Sequence, residues 1–193
     1  GIRPSSPSEE RGERAERRAR RALELFEFKL KSIQKDAIRP ALDKAVWYRA
    51  LNEPLEAESI CRDILEVEPD NQDAIATLLL ALSDQFTRGL KSRYREAKEL
   101  TERLTSEYDQ QYYAGILCER RAKCQYQQGT PGSAQLAYDG IRNAMDHYAR
   151  AERVRPLGND DALLRWNTCA RLLMSYPDIR PEPAPASETV ELE

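Results

Sequence analysis

The sequence predicts an all-α fold made of stacked helix pairs, and two observations support this prediction. One spacing of residues before a proline occurs twice, as Ala57, Cys61, Ile64 and Pro69 and again as Ala144, Tyr148, Ala151 and Pro156. The chain also has only 8 glycines in 193 residues and is rich in Ala, Leu, Glu and Arg, which are good helix formers. Each copy of the spacing therefore predicts an amphipathic helix that ends at its proline.

The charge and hydropathy of the chain argue against nucleic acid and membrane as partners. Charged residues make up 33% of the sequence but the net charge is only -3, so acids and bases are interspersed. The longest apolar run, residues 78–82, is too short to cross a membrane. We expect a cytoplasmic protein. The sequence shows no signal peptide but starts at Gly1 rather than Met, so a removed signal segment stays open as an alternative.

The cysteines and the histidine predict neither a metal site nor a cofactor. The 4 cysteines form no Cys-x-x-Cys pair, and His147 is the only histidine. We interpret Cys61, Cys118, Cys124 and Cys169 as free thiols on helices in a reducing compartment. A disulfide between Cys118 and Cys124 is the alternative. It is excluded on a single helix, where their spacing places them about 9 Å apart along the axis.

Four regions are predicted along the chain. Residues 1–8 are a flexible leader, residues 9–37 a long charged amphipathic helix, residues 38–175 a helical domain, and residues 176–193 a Pro-rich disordered tail. The long helix has one apolar seam, formed by Leu23, Phe26, Leu30, Ile33 and Ala37. The helical domain is predicted to contain helices over about residues 40–52, 54–65, 73–86, 92–108, 111–127, 134–155 and 160–175.

The helical domain resembles the tetratricopeptide repeat (TPR) family over about residues 38–175. If Pro69 is the terminal proline of a repeat, Ala57 and Tyr48 match its alanine and aromatic positions. Residues 38–71 then form one unit of the family's period, ~34 residues. The resemblance implies about three repeats, the second from Gln72 and the third over residues 111–156, both longer than usual. The helix with Trp166 is then a C-terminal cap.

The resemblance also implies a concave groove lined by the first helix of each repeat. Its predicted lining residues are Arg39, Leu42, Val46, Arg49, Asp73, Ala76, Leu80 and Ser83, with Lys123 and polar groups near Gly115 and Glu119 from the third repeat. Members of the family that grip a C-terminal carboxylate need Lys and Asn where this chain has Leu42, Val46, Ala76 and Leu80. A partly apolar groove instead suits an amphipathic helix or an extended peptide.

A second binding surface is predicted on the long N-terminal helix. Leu25 and Phe28 lie off its apolar seam, where exposure of large apolar side chains is costly unless a partner covers them. The alternative is that this helix is the first layer of the stack, with its seam in the core. The Arg-rich stretch at residues 11–21 contains interleaved glutamates, which argue against phosphate or RNA binding.

We therefore expect a protein-protein interaction scaffold that binds a helical or extended peptide of a partner. The alternative is a structural subunit of a larger assembly, with permanently buried surfaces. Catalysis is not expected, because His147 has no second histidine or nucleophile to pair with. The loop at residues 129–132 lacks the lysine and the preceding strand of a phosphate-binding loop.

Overall fold

The computed structural model describes residues 28–180, which form seven α-helices and two short 3-10 turns. The helices are α1 Ile38–Ala50, α2 Pro54–Val67, α3 Gln72–Ser83, α4 Leu90–Glu102, α5 Glu107–Gln127, α6 Ser133–Arg153 and α7 Asp161–Ser175. The 3-10 turns are Lys35–Ala37 and Phe86–Arg88. No strand occurs in this part of the chain, so the prediction of an all-α fold is confirmed for it.

Side-chain caps and prolines set several of the helix boundaries. Pro54 is the first residue of α2, where its missing amide donor costs nothing. The side-chain oxygen of Asn71 accepts a 2.9 Å hydrogen bond from the Ala74 amide and starts α3. Ser106 does the same for α5 by accepting from the Asp109 amide at 3.3 Å. The sequence prediction of a helix over about residues 92–108 is therefore wrong at its C-terminal end, because Tyr108 lies in the first turn of α5.

The helices pack in the order in which they occur along the chain. Each helix packs against the one that follows it, from α1 and α2 through to α6 and α7. In addition, α1 packs against α3 and α3 packs against α5, and we call these three helices the α1–α3–α5 layer. Arg49, in the last turn of α1, donates a hydrogen bond to Asp84, the residue that follows α3. The two helices therefore end at the same edge of the layer.

Three apolar clusters fill the space between the helices. The largest draws on α1 to α5 and includes Phe86 from the second 3-10 turn. The second joins α5, α6 and α7, and Leu80 and Tyr113 pack against both clusters. A smaller third cluster, formed by α1, α2 and α3, contains Ile38, Leu42, Ile64 and Ala74. Because the two larger clusters share these packing side chains, the apolar core continues from α1 to α7.

Two glycines let α5 and α6 approach closely. A Cβ atom added at Gly115 would lie 2.6 Å from Cε1 of Tyr148, and one added at Gly140 would lie 2.8 Å from Cβ of Ala122. Real Cβ atoms do not come this close to other carbons, so neither position has room for a side chain. The contact also explains how a side chain as large as that of Tyr148 is completely buried.

The N-terminal helix predicted for residues 9–37 is absent from residues 28–34, where the described part of the chain begins. Residues 28–34 contain no helix, and only Lys35–Ala37 form a 3-10 turn. Leu30, a residue of the predicted seam, is exposed. Helices gain most of their stability from packing an apolar face, which Leu30 does not do here. Residues 1–27, including the leader and most of the predicted helix, lie outside the described residues.

The tail predicted to be disordered starts at residue 176, but residues 176–180 pack against the helices. The five residues after α7, 176–180, fold back onto α5 and α6. Ile179 is buried. It lines an apolar cavity of about 320 Å³ together with Tyr126, Ile141 and Leu172. The Tyr126 hydroxyl donates a hydrogen bond to Asp178. Burial of Ile179 explains the order of a segment that proline content alone marks as disordered. Residues 181–193 lie outside the described residues.

Candidate functional site

A cluster of charged side chains crosses the α1–α3–α5 layer at Asp84. Nε of Arg49 on α1 lies 2.8 Å from Oδ2 of Asp84, and Nη1 of Arg120 on α5 lies 2.5 Å from Oδ1. Nη1 of Arg120 also donates to the Leu80 carbonyl at 3.1 Å and to the Ser83 hydroxyl. One carboxylate therefore connects arginines from two other helices of the layer.

Arg120 is in an unusually unfavourable place for a positive charge. Burial lowers its pKa below the ordinary value, and the neighbouring charges of Arg49 and Arg165 lower it further. Asp84 and Glu119 offset only part of this effect. The guanidinium keeps its charge at neutral pH, because the ordinary arginine pKa is so high. An additional carboxylate near Arg120 would therefore stabilise its charge.

A second polar cluster lies beside the first and joins α5, α6 and α7. Glu119 is completely buried, and its carboxylate accepts a 2.8 Å hydrogen bond from the Tyr148 hydroxyl. Nζ of Lys123 lies 2.5 Å from one carboxylate oxygen, and Nη2 of Arg165 lies 3.2 Å from the other. Burial raises the pKa of Glu119, but Lys123, Arg165 and the Tyr148 hydroxyl outweigh this effect and hold it below the ordinary value.

Arg165 on α7 is incompletely paired within this cluster. Its Nη2 faces Glu119, but its Nε is buried and has no hydrogen-bond partner among residues 28–180. A buried donor without a partner costs free energy, so it marks a place where an acceptor would be favourable.

Tyrosines on α5 pack next to these charges. Tyr112 stacks on Tyr108 with ring centroids 5.6 Å apart and meets Tyr113 edge to face at 5.3 Å. Burial raises the pKa of Tyr113 to about 12, and Asp109, among the acidic neighbours, raises it as well. Burial also raises the pKa of Tyr112, against the effect of the nearby Arg165 charge. Tyr112 and Tyr113 thus lie near arginines and also near acidic residues in the first turns of α3, α5 and α7.

Some residues predicted for the groove lie together in this region. Arg49, Leu80 and Ser83 belong to the cluster around Asp84, and Lys123 belongs to the one around Glu119. Asp73 is exposed in the first turn of α3, and Ala76 is partly buried against the main core. Val46 lies one turn before Arg49 on α1 and is 51% exposed.

Most of the other predicted positions do not face solvent, and Arg39 is the exception. Leu42 is only 6% exposed and belongs to the third apolar cluster, so it is a core residue rather than a groove residue. Ser83 is also buried, although it binds Arg120. Gly115 and Glu119 lie beneath Tyr148, because α5 and α6 approach so closely there. Arg39 is exposed and pairs with Asp43, one turn further along α1.

Of the two N-terminal positions predicted to bind a partner, only Phe28 lies within the described residues. Leu25 lies outside the described residues. Phe28 is 84% exposed and does not lie in a helix. A helix surface that contains Leu25 stays a prediction. Phe28 lies in a segment that is not helical.

Sequence reasoning missed Asp84, Arg120 and Arg165, which complete the two charge clusters. The partners of Asp84 are 35 and 36 positions away along the chain, too far for any helix-spacing rule to connect them. The available signal was a charged residue directly after the apolar helix α3, which predicts a partner from a neighbouring helix.

Other chemistry has little support in the described residues. No group of three or more His, Cys, Asp or Glu side chains within residues 28–180 could hold a metal ion. His147 is half-buried beside a polar groove of about 490 Å³, with Nδ1 2.8 Å from the Gln111 side-chain oxygen. Burial lowers its pKa. None of the helices between residues 28 and 180 combines the length and apolar character needed to span a bilayer.

The four cysteines are free, as the sequence analysis predicted. Burial raises the pKa of both the Cys61 and the Cys169 thiols to about 12. A thiol with so high a pKa is almost entirely protonated at neutral pH and is a poor nucleophile. Comparisons with protein families, with curated proteins and with solved structures found no match to this chain.

Proposed function

We propose that residues 38–175 form a TPR-like array that serves as a protein-protein interaction scaffold without a catalytic step. The packing of alternate helices, α1 on α3 and α3 on α5, supports this proposal. In helical repeat arrays, the first helices of successive pairs lie side by side and line the binding surface. We infer that the α1–α3–α5 layer is this surface, and that it binds a helical or extended peptide segment of a partner.

The local properties of the layer suit a peptide better than a small molecule. Val46 and Trp47 are exposed apolar side chains in the second half of α1, next to the charged Arg49. Peptide-binding surfaces combine apolar contacts of this kind with charged groups that fix the orientation of the ligand. The four free cysteines support a location in the reducing cytoplasm.

A structural subunit of a larger assembly is the second candidate, and the exposed apolar side chains favour it. Among them are Trp47 on the first helix and Leu164, Met174 and Tyr176 on or after the last helix. A permanent partner at either end of the array would bury them. Light scattering on the purified chain distinguishes the candidates, because obligate self-association supports the structural subunit and a monomer supports the scaffold.

The scaffold proposal is tested by selecting ligands from a random peptide library on the purified protein. Peptides are expected to be enriched, and Val46→Asp should weaken their binding about tenfold by placing a charge in an apolar contact. Leu136→Asp is the matched control, because Leu136 is 50% exposed but lies on α6, outside the layer. Failure to enrich any peptide, or equal effects of the two substitutions, would contradict the proposal.

A further inference from the structure

Three arginines form a row across the layer and onto α7, and we call Arg49, Arg120 and Arg165 the arginine row. Arg49 and Arg120 share Asp84, and Arg165 pairs with Glu119, the residue next to Arg120 on α5. Each of the three side chains is partly accessible, from 19% for Arg49 to 31% for Arg165. Charges that are partly removed from water interact more strongly with an approaching ligand than fully solvated ones do.

The carboxylates around the row do not neutralise it. Asp84 pairs with both Arg49 and Arg120, whereas Glu119 pairs with Arg165 and Lys123. Among the groups that form these ion pairs, four cationic side chains therefore share two carboxylates, an excess of two positive charges. The acidic residues Asp73, Asp109 and Asp161 lie instead in the first turns of α3, α5 and α7.

The row also has hydrogen-bond donors to spare. Within the described residues, Arg49 donates to Asp84 through Nε alone, and Arg120 makes all of its bonds through Nη1. The buried Nε of Arg165 has no partner in the same part of the chain. A guanidinium offers five N–H donors in a fork that matches a carboxylate, so the unused donors of the partly accessible Arg49 and Arg120 have a natural acceptor. The buried Nε of Arg165 is out of reach of a ligand, so Arg165 contributes its charge.

We propose that the arginine row binds the carboxylate side chains of an acidic peptide segment, with about two carboxylates required to balance its charge. This inference rests on the proposed scaffold function and names the class of partner. The partner's acidic residues contact Arg49, Arg120 and Arg165, and its apolar residues contact Val46. The acidic first turns of α3, α5 and α7 repel the acidic part of the peptide and so fix its position on the layer.

The inference is tested with three fluorescent peptides built from repeated Ala-Glu-Leu, Ala-Gln-Leu or Ala-Lys-Leu triplets. The Glu peptide is expected to bind the wild-type chain at least about tenfold more tightly than the Gln peptide, and the Lys peptide most weakly. Raising NaCl from about 50 mM to about 300 mM should weaken binding of the Glu peptide and leave the Gln peptide nearly unchanged. These measurements on the wild-type chain do not depend on any variant folding.

Substitutions then locate the site. Arg120→Gln and Arg165→Gln should each reduce the preference for the Glu peptide about fivefold or more. Arg93→Gln is the matched control, since Arg93 is as accessible as Arg120 and is also paired between helices, with Glu58 on α2. If Arg120→Gln does not fold, Arg165→Gln and Arg49→Gln provide the same test. A decrease for Arg93→Gln equal to that for Arg165→Gln overturns the inference.

The remaining outcomes separate this inference from the scaffold proposal. Equal affinity for the Glu and Gln peptides at a site sensitive to Val46→Asp overturns the acidic-partner inference and leaves the scaffold intact. If single-stranded oligothymidylate binds the row as tightly as the Glu peptide, the site is a general polyanion site and the inference is again overturned. If none of the three peptides binds and library selection also fails, both proposals are wrong.

Discussion

Tyr148 on α6 donates a 2.8 Å hydrogen bond to Glu119 on α5, and both side chains are completely buried. The carboxylate of Glu119 also holds Lys123 and, from α7, Arg165. Three helices are thus tied together through one acidic residue. Because a buried charge is tolerated only when it is paired, the stability of this part of the array depends on Glu119 staying ionised.

Glu119→Gln is expected to destabilise the protein by about 2–3 kcal/mol at neutral pH, because two cationic side chains lose their charged acceptor. The measurement is urea unfolding followed by circular dichroism. Asp139→Asn is a control, because Asp139 is exposed on α6 and forms no ion pair within residues 28–180. A loss no larger than that of the control would show that the Glu119 charge contributes little.

The effect of Glu119 should depend on pH. Its folded pKa lies below the ordinary value of 4.5, so the unfolded chain binds the proton more readily. The contribution of the Glu119 charge to the free energy of unfolding is therefore fully present above pH 4.5. It is lost as the pH falls through the folded pKa. The difference in unfolding free energy between wild type and Glu119→Gln should shrink over that range. A difference that stays constant below 4.5 would contradict this assignment.

Gly115→Ala should destabilise the protein by about 1–3 kcal/mol. The new Cβ would come within 2.6 Å of the Tyr148 ring, which is held by packing and by Glu119. Alanine favours helix over glycine by about 1 kcal/mol, so the observed loss is the overpacking cost minus this gain. Thermal melting measures it. A stability equal to or above wild type would mean that α5 and α6 separate easily at this point.

Ile179→Ala should cost about 2 kcal/mol, because it enlarges the apolar cavity beneath the segment that follows α7. Leu157→Ala is the matched control, because Leu157 is fully exposed and its truncation should be neutral. Urea unfolding of the two variants checks the prediction. If both behave like wild type, residues 176–180 do not contribute to the stability of the domain.

The cysteines should differ in their reaction with Ellman's reagent. Cys61 and Cys169 should be unreactive in the native protein, because they are buried and their thiol pKa is about 12. Cys118 is only partly buried and should react first. All four should react in concentrated guanidinium, which is the control for free thiols. Rapid native reaction of Cys61 would place it at the surface.

Sequence reasoning predicted much of the fold, because apolar periodicity and prolines are local signals. All seven helices were expected near their observed positions, including α2, which begins at Pro54 as predicted. The boundary between α4 and α5 was misplaced, because Ser106 was not recognised as a cap. The predicted N-terminal helix is absent from residues 28–34, because periodicity gives a helix an apolar face but cannot supply the surface on which that face packs. Residues 9–27 of that prediction lie outside the described residues.

The candidate site was less predictable than the fold. Val46, Arg49 and Lys123 were expected on one surface from the repeat spacing, but Leu42 shares that spacing and is buried. Asp84, Arg120 and Arg165 come together only through packing of helices that are distant in sequence. The depth of Glu119 was also unforeseeable, because it depends on the missing side chain of Gly115 and on the Tyr148 hydroxyl.

The helix-by-helix packing has a consequence for how the chain reaches its native state. Each helix finds its main partner in the next helix along the chain, so most native contacts close short loops. Chains with such local topology fold quickly, and their early helices can dock before the later ones have been synthesised. Helix α7 packs mainly against α6 and brings Arg165 to Glu119, whose charge Lys123, one turn further along α5, already balances. Docking of α7 therefore gives the buried carboxylate a second cationic partner.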